Sequence, residues 1–176
     1  MNTINFVHKT MQCRVCLEPH QLNKDYQETL LNSLKKRYAN TCVKGIGYIS
    51  EILSIKKCLH EEVMKMIPNV YFLMEAELLA YEPAAGDEVD MMVDYIFNHG
   101  IFGAFEKIKI LIPIQNCQQE WSLQQDFSSI YMAHKEDSKK TIRKGSIIKV
   151  VITNFRFEKD NFSCIAKISS SFTTSV

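Results

Sequence analysis

A break at Glu82-Pro83-Ala84-Ala85-Gly86-Asp87 divides this sequence into two stretches that obey different patterning rules. Proline fixes φ and removes a backbone donor, glycine adds backbone freedom, and the two together stop a regular element. At 176 residues the chain is long enough for one ordinary domain or two small ones. The break predicts two, over residues 1–82 and 83–176.

Before the break, Met11, Cys13, Val15 and Leu17 alternate with polar residues, which predicts a strand over 11–17. Glu18-Pro19-His20 is a turn and a helix-start signal, since proline is tolerated in a first helical turn. Leu22, Tyr26, Leu30, Leu34 and Tyr38 then recur every four residues and form one apolar helical stripe. Lys35-Lys36-Arg37 falls where the negative end of that helix dipole lies, so helix-end electrostatics explains it more simply than phosphate binding. Gly45-Ile46-Gly47-Tyr48-Ile49 opens an extended segment to about Ile55, its glycines fitting a bulge or a close backbone approach. His60 to Pro68 reads as a poorly patterned link. Val70, Phe72, Met74, Ala76, Leu78 and Ala80 then alternate cleanly as a strand. Strand, helix, strand, strand is a small α+β unit.

After the break the pattern is strand alone. Val89, Met91, Val93, Tyr95 and Phe97 alternate with Glu88, Asp90, Met92, Asp94 and Ile96, and Asn98-His99-Gly100 turns the chain. Ile101–Phe105, Ile108–Ile112, Ile147–Phe157 and Phe162–Ile168 complete five strands, which predicts a small closed barrel of the OB type. Residues 115–146 read as one long polar loop, beyond usual loop length and so expected to be functional or partly disordered. Trp121, Phe127, Ile130 and Tyr131 suggest that part of it packs back. Ser169 to Val176 reads as a frayed tail.

Lys and Arg number 21 against 20 Asp and Glu, which argues against an autonomous duplex-DNA binder needing many cations to displace phosphate counterions. No apolar run approaches the ~20 residues that span a bilayer, so no membrane partner is expected. Met1 to Met11 lacks an apolar signal core, and the six cysteines are expected to be reduced thiols in an intracellular protein. Cys13-x-x-Cys16 lies in alternating sequence, and a buried structural role is the simplest reading of the pair. A thiol oxidoreductase would want a helix start after the first cysteine, and a zinc site lacks its second half. No phosphate-binding, nucleophile-elbow or metalloprotease pattern occurs, and the five histidines are scattered, so neither enzymatic activity, a cofactor nor a bound metal is expected.

Single-stranded nucleic acid fits better, because OB-type surfaces stack bases on aromatics and track phosphates with cations. Candidates are Tyr95, Phe97, His99, Phe102 and Phe105 with Lys107, Lys109 and Arg156. Tyr95 and Phe97 share a face with Val89, Met91 and Val93, so core is the simpler reading of both. Glu88, Asp90 and Asp94 on the opposite face repel phosphate. Lys139-Lys140 with Arg143-Lys144 is the one dense basic patch, and it reads first as a solvated charge run.

The order of segments resembles the stalk subunit family of multisubunit RNA polymerases, whose members are subunit seven of eukaryotic polymerase II and its archaeal counterpart. The resemblance is carried by Leu17-Glu18-Pro19-His20 before the helix, Gly45-Ile46-Gly47-Tyr48-Ile49 after it, and Leu79-Ala80-Tyr81-Glu82-Pro83 with Gly86-Asp87-Glu88-Val89 at the junction. Asn98-His99-Gly100-Ile101-Phe102, Leu111-Ile112-Pro113 and Cys164-Ile165-Ala166-Lys167-Ile168 continue it, so that it covers about residues 10 to 168. It implies an N-terminal RNP-like α/β domain followed by a C-terminal five-stranded OB-type barrel. It implies a non-catalytic subunit that docks on the largest subunits of the polymerase core near the clamp, through a tip involving Leu17, Pro19, Gly45, Gly47 and Tyr48. It also implies weak contact between nascent single-stranded RNA and His99, Phe102 and Lys109, and a small stalk partner subunit. The segments 58–69 and 117–144 match poorly, a drift similar to that of polymerases from large DNA viruses. The expected location is the nucleus for a cellular eukaryote, or host cytoplasm or virion for a viral member. The competing reading is a free-standing OB protein that binds single-stranded RNA in translation or RNA decay.

Overall fold

The computed structural model describes residues 6–63, 68–117, 119–127, 129–137 and 139–169. The chain forms two compact units, Phe6–Glu82 and a second that runs on from Pro83.

The first unit is a four-stranded antiparallel sheet with one helix on one face. Its elements are β1 (Val7–Leu17), a short 3-10 turn (Pro19–Gln21), α1 (Tyr26–Tyr38), β2 (Thr41–Val43), β3 (Gly47–Val63) and β4 (Val70–Tyr81). The sheet order is β1-β4-β3-β2. The alternating residues of β1 and β4 meet Leu30 and Leu34 of α1 in one core, with Tyr26 stacked on Phe72 at 6.0 Å. Leu22 lies before the helix and is exposed, so the apolar stripe starts at Tyr26. Lys35, Lys36 and Arg37 occupy the last turn of α1, where Arg37 donates from Nη1 to the Arg14 carbonyl of β1 at 3.2 Å and Lys35 faces Glu51 of β3.

β3 is longer than its pattern suggests and has no period of two. Its pairing with β4 slips at four places, between Ile49/Glu51, Ile52/Ser54, Ile55/Lys57 and Cys58/His60. Three residues of β3 therefore match each two of β4. Ile49, Ile52, Ile55 and Cys58 stand opposite Ala80, Leu78, Ala76 and Met74, the helix-facing residues of β4. Each bulge adds twist, so β3 coils while keeping the same side turned inward. The link expected from His60 is strand as far as Val63, and 64–67 lie outside the described residues.

The second unit is a closed five-stranded barrel with an inserted sheet. The barrel strands are β5 (Glu88–Phe97), β6 (Gly100–Phe105), β7 (Ile108–Pro113), β11 (Ile147–Glu158) and β12 (Asn161–Ile168). They close in the order β11-β12-β7-β6-β5, with β12 parallel to β7 and the other pairs antiparallel. Val89, Met91, Val93, Ile101, Ile110, Ile112, Ile148, Val150, Ile152, Cys164 and Ala166 fill the interior. The fold class is thus the expected α+β unit followed by an OB-type barrel.

The expected loop at 115–146 is mostly ordered structure. It holds a three-stranded antiparallel sheet of β8 (Trp121–Gln125), β9 (Ile130–His134) and β10 (Thr141–Ile142), ordered β10-β9-β8. Trp121, Met132 and Ile142 are buried, and the Trp121 and His134 rings meet edge to face at 5.0 Å. Strands of five, five and two residues in polar sequence are too short to show a period. Phe127, expected to help the segment pack back, is fully exposed. Of the expected tail, residues 170–176 lie outside the described residues.

Candidate functional site

The five residues expected at a docking tip fall into two groups at opposite ends of the first sheet. Leu17 pairs with Val70 at one end of β4, and Tyr48 pairs with Tyr81 at the other. Eleven steps of strand separate those ends, about 35 Å of backbone at ~3.3 Å per residue. At the first end Leu17 is fully buried, and Pro19 is exposed at the head of the 3-10 turn. The Gln21 side chain accepts the Glu18 N–H at 3.0 Å and fixes that turn. At the other end Gly45 is exposed in the β2–β3 hairpin with φ +78°, and nothing lies within 4 Å of where its Cβ would be. Gly47 has φ +113°, and a Cβ there would collide with the Tyr81 carbonyl. Tyr48 is buried, and its hydroxyl donates to Asn40 Oδ1 at 2.9 Å. Pro19 and Gly45 are presented to solvent. Leu17, Gly47 and Tyr48 shape the turns from beneath, so no single tip gathers all five.

The barrel residues come together. Phe102 is half-buried on the outer face of β6, Lys109 is exposed on the outer face of β7, and His99 is exposed in the β5–β6 turn. The pairings Tyr95–Phe102, Phe102–Leu111 and Leu111–Ile165 run one lateral row across β5, β6, β7 and β12. Directly paired residues point the same way, so these four side chains form a continuous apolar row outside the barrel. Tyr95 is 61% exposed and Ile165 41%. The next row is Met92, Ala104, Lys109, Ser163 and Arg156. Arg156 is engaged with Glu158 at 3.1 Å, whereas Lys109 and Lys167 have no carboxylate partner among the described residues. The outward residues of β6, β7 and β12 include no acid: Phe102 and Ala104, Lys109 and Leu111, Ser163, Ile165 and Lys167.

Tyr95 and Phe97 are not core. The register shifts between Val93 and Tyr95, and this one bulge turns both rings outward. The Phe97 ring meets His99 edge-on at 6.4 Å, and Lys144 Nζ lies 5.0 Å above the Tyr95 ring. The sequence holds no local signal for the switch, because alternation continues through Phe97. Of the acids expected to repel phosphate, Glu88 and Asp90 sit at the other end of β5, while Asp94 stands at the bulge next to Tyr95. Asp90 pairs with Lys149, and the Glu88 carboxylate accepts a hydrogen bond from Ser169.

The Cys13–Cys16 motif is split. Cys13 is buried in the core, where loss of hydration raises its thiol above the ordinary range, while Cys16 is exposed on the other face of β1. A three-residue offset in a strand puts two side chains on opposite faces, so the expectation of burial holds for Cys13 alone.

Residues 12–62, which run from β1 through most of β3, match the family model described as the SHS2 domain found in the N terminus of Rpb7p/Rpc25p/MJ0397. Over 147 residues the chain is 25% identical to the DNA-directed RNA polymerase subunit Rpo7 of Saccharolobus shibatae, covering 81% of this chain and 79% of that one. The Rpo7 of Saccharolobus solfataricus is 24% identical over 145 residues, with the same coverage. The chain is thus similar to RNA polymerase stalk subunits, by a family model over its first unit and by these relatives over most of its length. The segment that matches the SHS2 model takes in Pro19, Gly45, Gly47 and Tyr48. The relatives' 81% coverage carries the likeness beyond the first unit and into the barrel.

Proposed function

We propose that this chain is a non-catalytic subunit of a DNA-directed RNA polymerase, standing in the stalk, docking on the core near the clamp and touching nascent RNA with its barrel. The observation that carries the RNA contact is the row Tyr95–Phe102–Leu111–Ile165, bordered by Lys109 and Lys167 with no carboxylate on β6, β7 or β12 beside it. Aromatic faces stack bases of any identity, and the lysines follow the phosphates. The site offers surfaces and cations, the equipment of a binding subunit. The near-balanced charge makes such contact weak for a free chain, and tethering beside an exit path raises the local RNA concentration instead. Docking falls to the exposed Pro19 turn and the Gly45 hairpin, with the largest core subunits, and a small stalk partner, as their recipients.

The test is affinity purification of the tagged chain from its native cell or infected cell, followed by ultraviolet crosslinking of the transcript. The largest polymerase subunits are expected to co-purify, and Pro19→Glu is expected to reduce their recovery without unfolding the chain. Phe102→Ala with Lys109→Ala is expected to lower transcript crosslinking and leave assembly intact. A chain that purifies alone, yet binds single-stranded RNA tightly at physiological salt, is a free-standing RNA-binding protein instead.

A further inference from the structure

The inserted sheet has one buried face and one open one. Trp121, Met132 and Ile142 point into the core, while Ser122, Gln124, Tyr131, Ala133, Thr141 and Arg143 line an open cavity of about 570 Å³ together with His134 and Lys135. No carboxylate lines that cavity. The Arg143 guanidinium lies 4.3 Å over the Tyr131 ring, and the Tyr131 hydroxyl donates to Gln124 Oε1 at 2.9 Å. A cation already stacked on a ring held by a hydrogen bond is pre-organised, because little side-chain freedom is left to lose on binding.

The neighbouring residue connects this cavity to the barrel. Lys144 covers Tyr95, the end of the outer barrel row, while Arg143 covers Tyr131. Two consecutive cations thus cover two rings, Tyr131 in the insert and Tyr95 on the barrel. Residues 129–144 hold five lysines and arginines against two acids, Glu136 and Asp137. Asp137 is occupied within its own turn, accepting the Lys139 N–H at 3.1 Å. The local excess of positive charge complements a phosphate backbone.

We propose that the inserted sheet carries a second contact for single-stranded RNA, centred on Tyr131 and Arg143 and continuous with the barrel row through Lys144 and Tyr95. It rests on the RNA reading above and extends that reading from the barrel face to a longer track. A short oligonucleotide is held by the barrel row alone, and a longer one reaches both.

The test is fluorescence anisotropy of the full chain with oligouridylates of about 4 and about 16 nucleotides, the span of OB-type sites. Three variants are compared: Tyr131→Ser with Arg143→Ser, Arg143→Glu alone, and Phe102→Ala. Arg143 is exposed, so its single variant reports binding even where the double variant loses packing. Both insert variants are expected to weaken the long oligonucleotide about tenfold and leave the short one unchanged. Loss of the Arg143 charge is expected to lower the salt slope for the long oligonucleotide by about 0.7. Phe102→Ala is expected to weaken both lengths. Unchanged affinity and slope in the insert variants, with Phe102→Ala still weakening both lengths, overturns the second contact and leaves the barrel reading standing. Equal weakening of both lengths by Arg143→Glu overturns it too, since the cation then acts through the barrel row. Absence of binding by the unmodified chain at either length removes the barrel reading and the second contact together.

Discussion

β3 in the first unit and β5 in the second are both bulged strands, and they use the bulge to opposite ends. β3 has four, spaced every three residues, and keeps Ile49, Ile52 and Ile55 on the helix side throughout. β5 has one, and past it the residues that alternation assigns to the interior stand outside. Repeated bulges at a constant interval conserve a face and change only twist. A solitary bulge exchanges faces. The first builds architecture, and the second turns Tyr95 and Phe97 from packing residues into surface.

The largest effect that could break this comparison lies in β3. Ile52→Ala should destabilise the first unit by about 3 kcal/mol, because a fully buried side chain leaves a cavity. Leu53→Ala, at a bulged and half-buried position, should remove about 1 kcal/mol or less. Equal values in urea unfolding would mean that β3 alternates after all. In β5, Val93→Ala should destabilise by about 2 kcal/mol, and Tyr95→Ala by about 0.5 kcal/mol or less. Tyr95→Ala should instead weaken single-stranded RNA binding about tenfold, the amount expected for one stacked base. A core-sized loss of stability at Tyr95 would place its ring back inside the barrel.

A smaller effect follows from Cys117, just after β7, whose thiol is pushed up to about 11 by burial. The folded value lies above the ordinary value of 9.0, so the unfolded chain releases this proton first. Its contribution to stability is complete below pH 9.0 and is lost as pH rises towards about 11. Cys117→Ala should flatten the fall in melting temperature over that window, and an unchanged slope would remove the assignment. The gentlest test is alkylation of the native chain, in which exposed Cys16 should react well before buried Cys13. Similar rates would contradict the placement of the two thiols on opposite faces of β1.

Where one period ran unbroken, the sequence was a good guide. The alternation of β1 and β4 and the four-residue recurrence of Tyr26, Leu30, Leu34 and Tyr38 produced the elements they predict. The far half of β3 was hidden because residues 56–63 are all exposed and its bulges shift the register every third position, which leaves no alternation to read. The inserted sheet was hidden because β8, β9 and β10 are shorter than a period needs. The candidate residues divide along the same line. His99, Phe102 and Lys109 share the outer side of the barrel, and a period of two suffices to place Phe102 and Lys109 there. Tyr95 needed a bulge that no local residue announces. Leu17, Gly47 and Tyr48 stand out in the sequence for a different reason: they hold turns in shape from within, which a motif reports as readily as contact.

The coiling of β3 has a consequence for how such a chain can drift. A strand that turns one residue in three inward places packing demands on a third of its positions, where an ordinary half-buried strand places them on half. Ser50, Leu53, Lys56 and Leu59 sit at the bulges and pair with nothing across the sheet. Substitutions can collect there while Ile49, Ile52 and Ile55 hold the helix in place. Such a strand can therefore accept many substitutions at its bulges and still hold the same sheet.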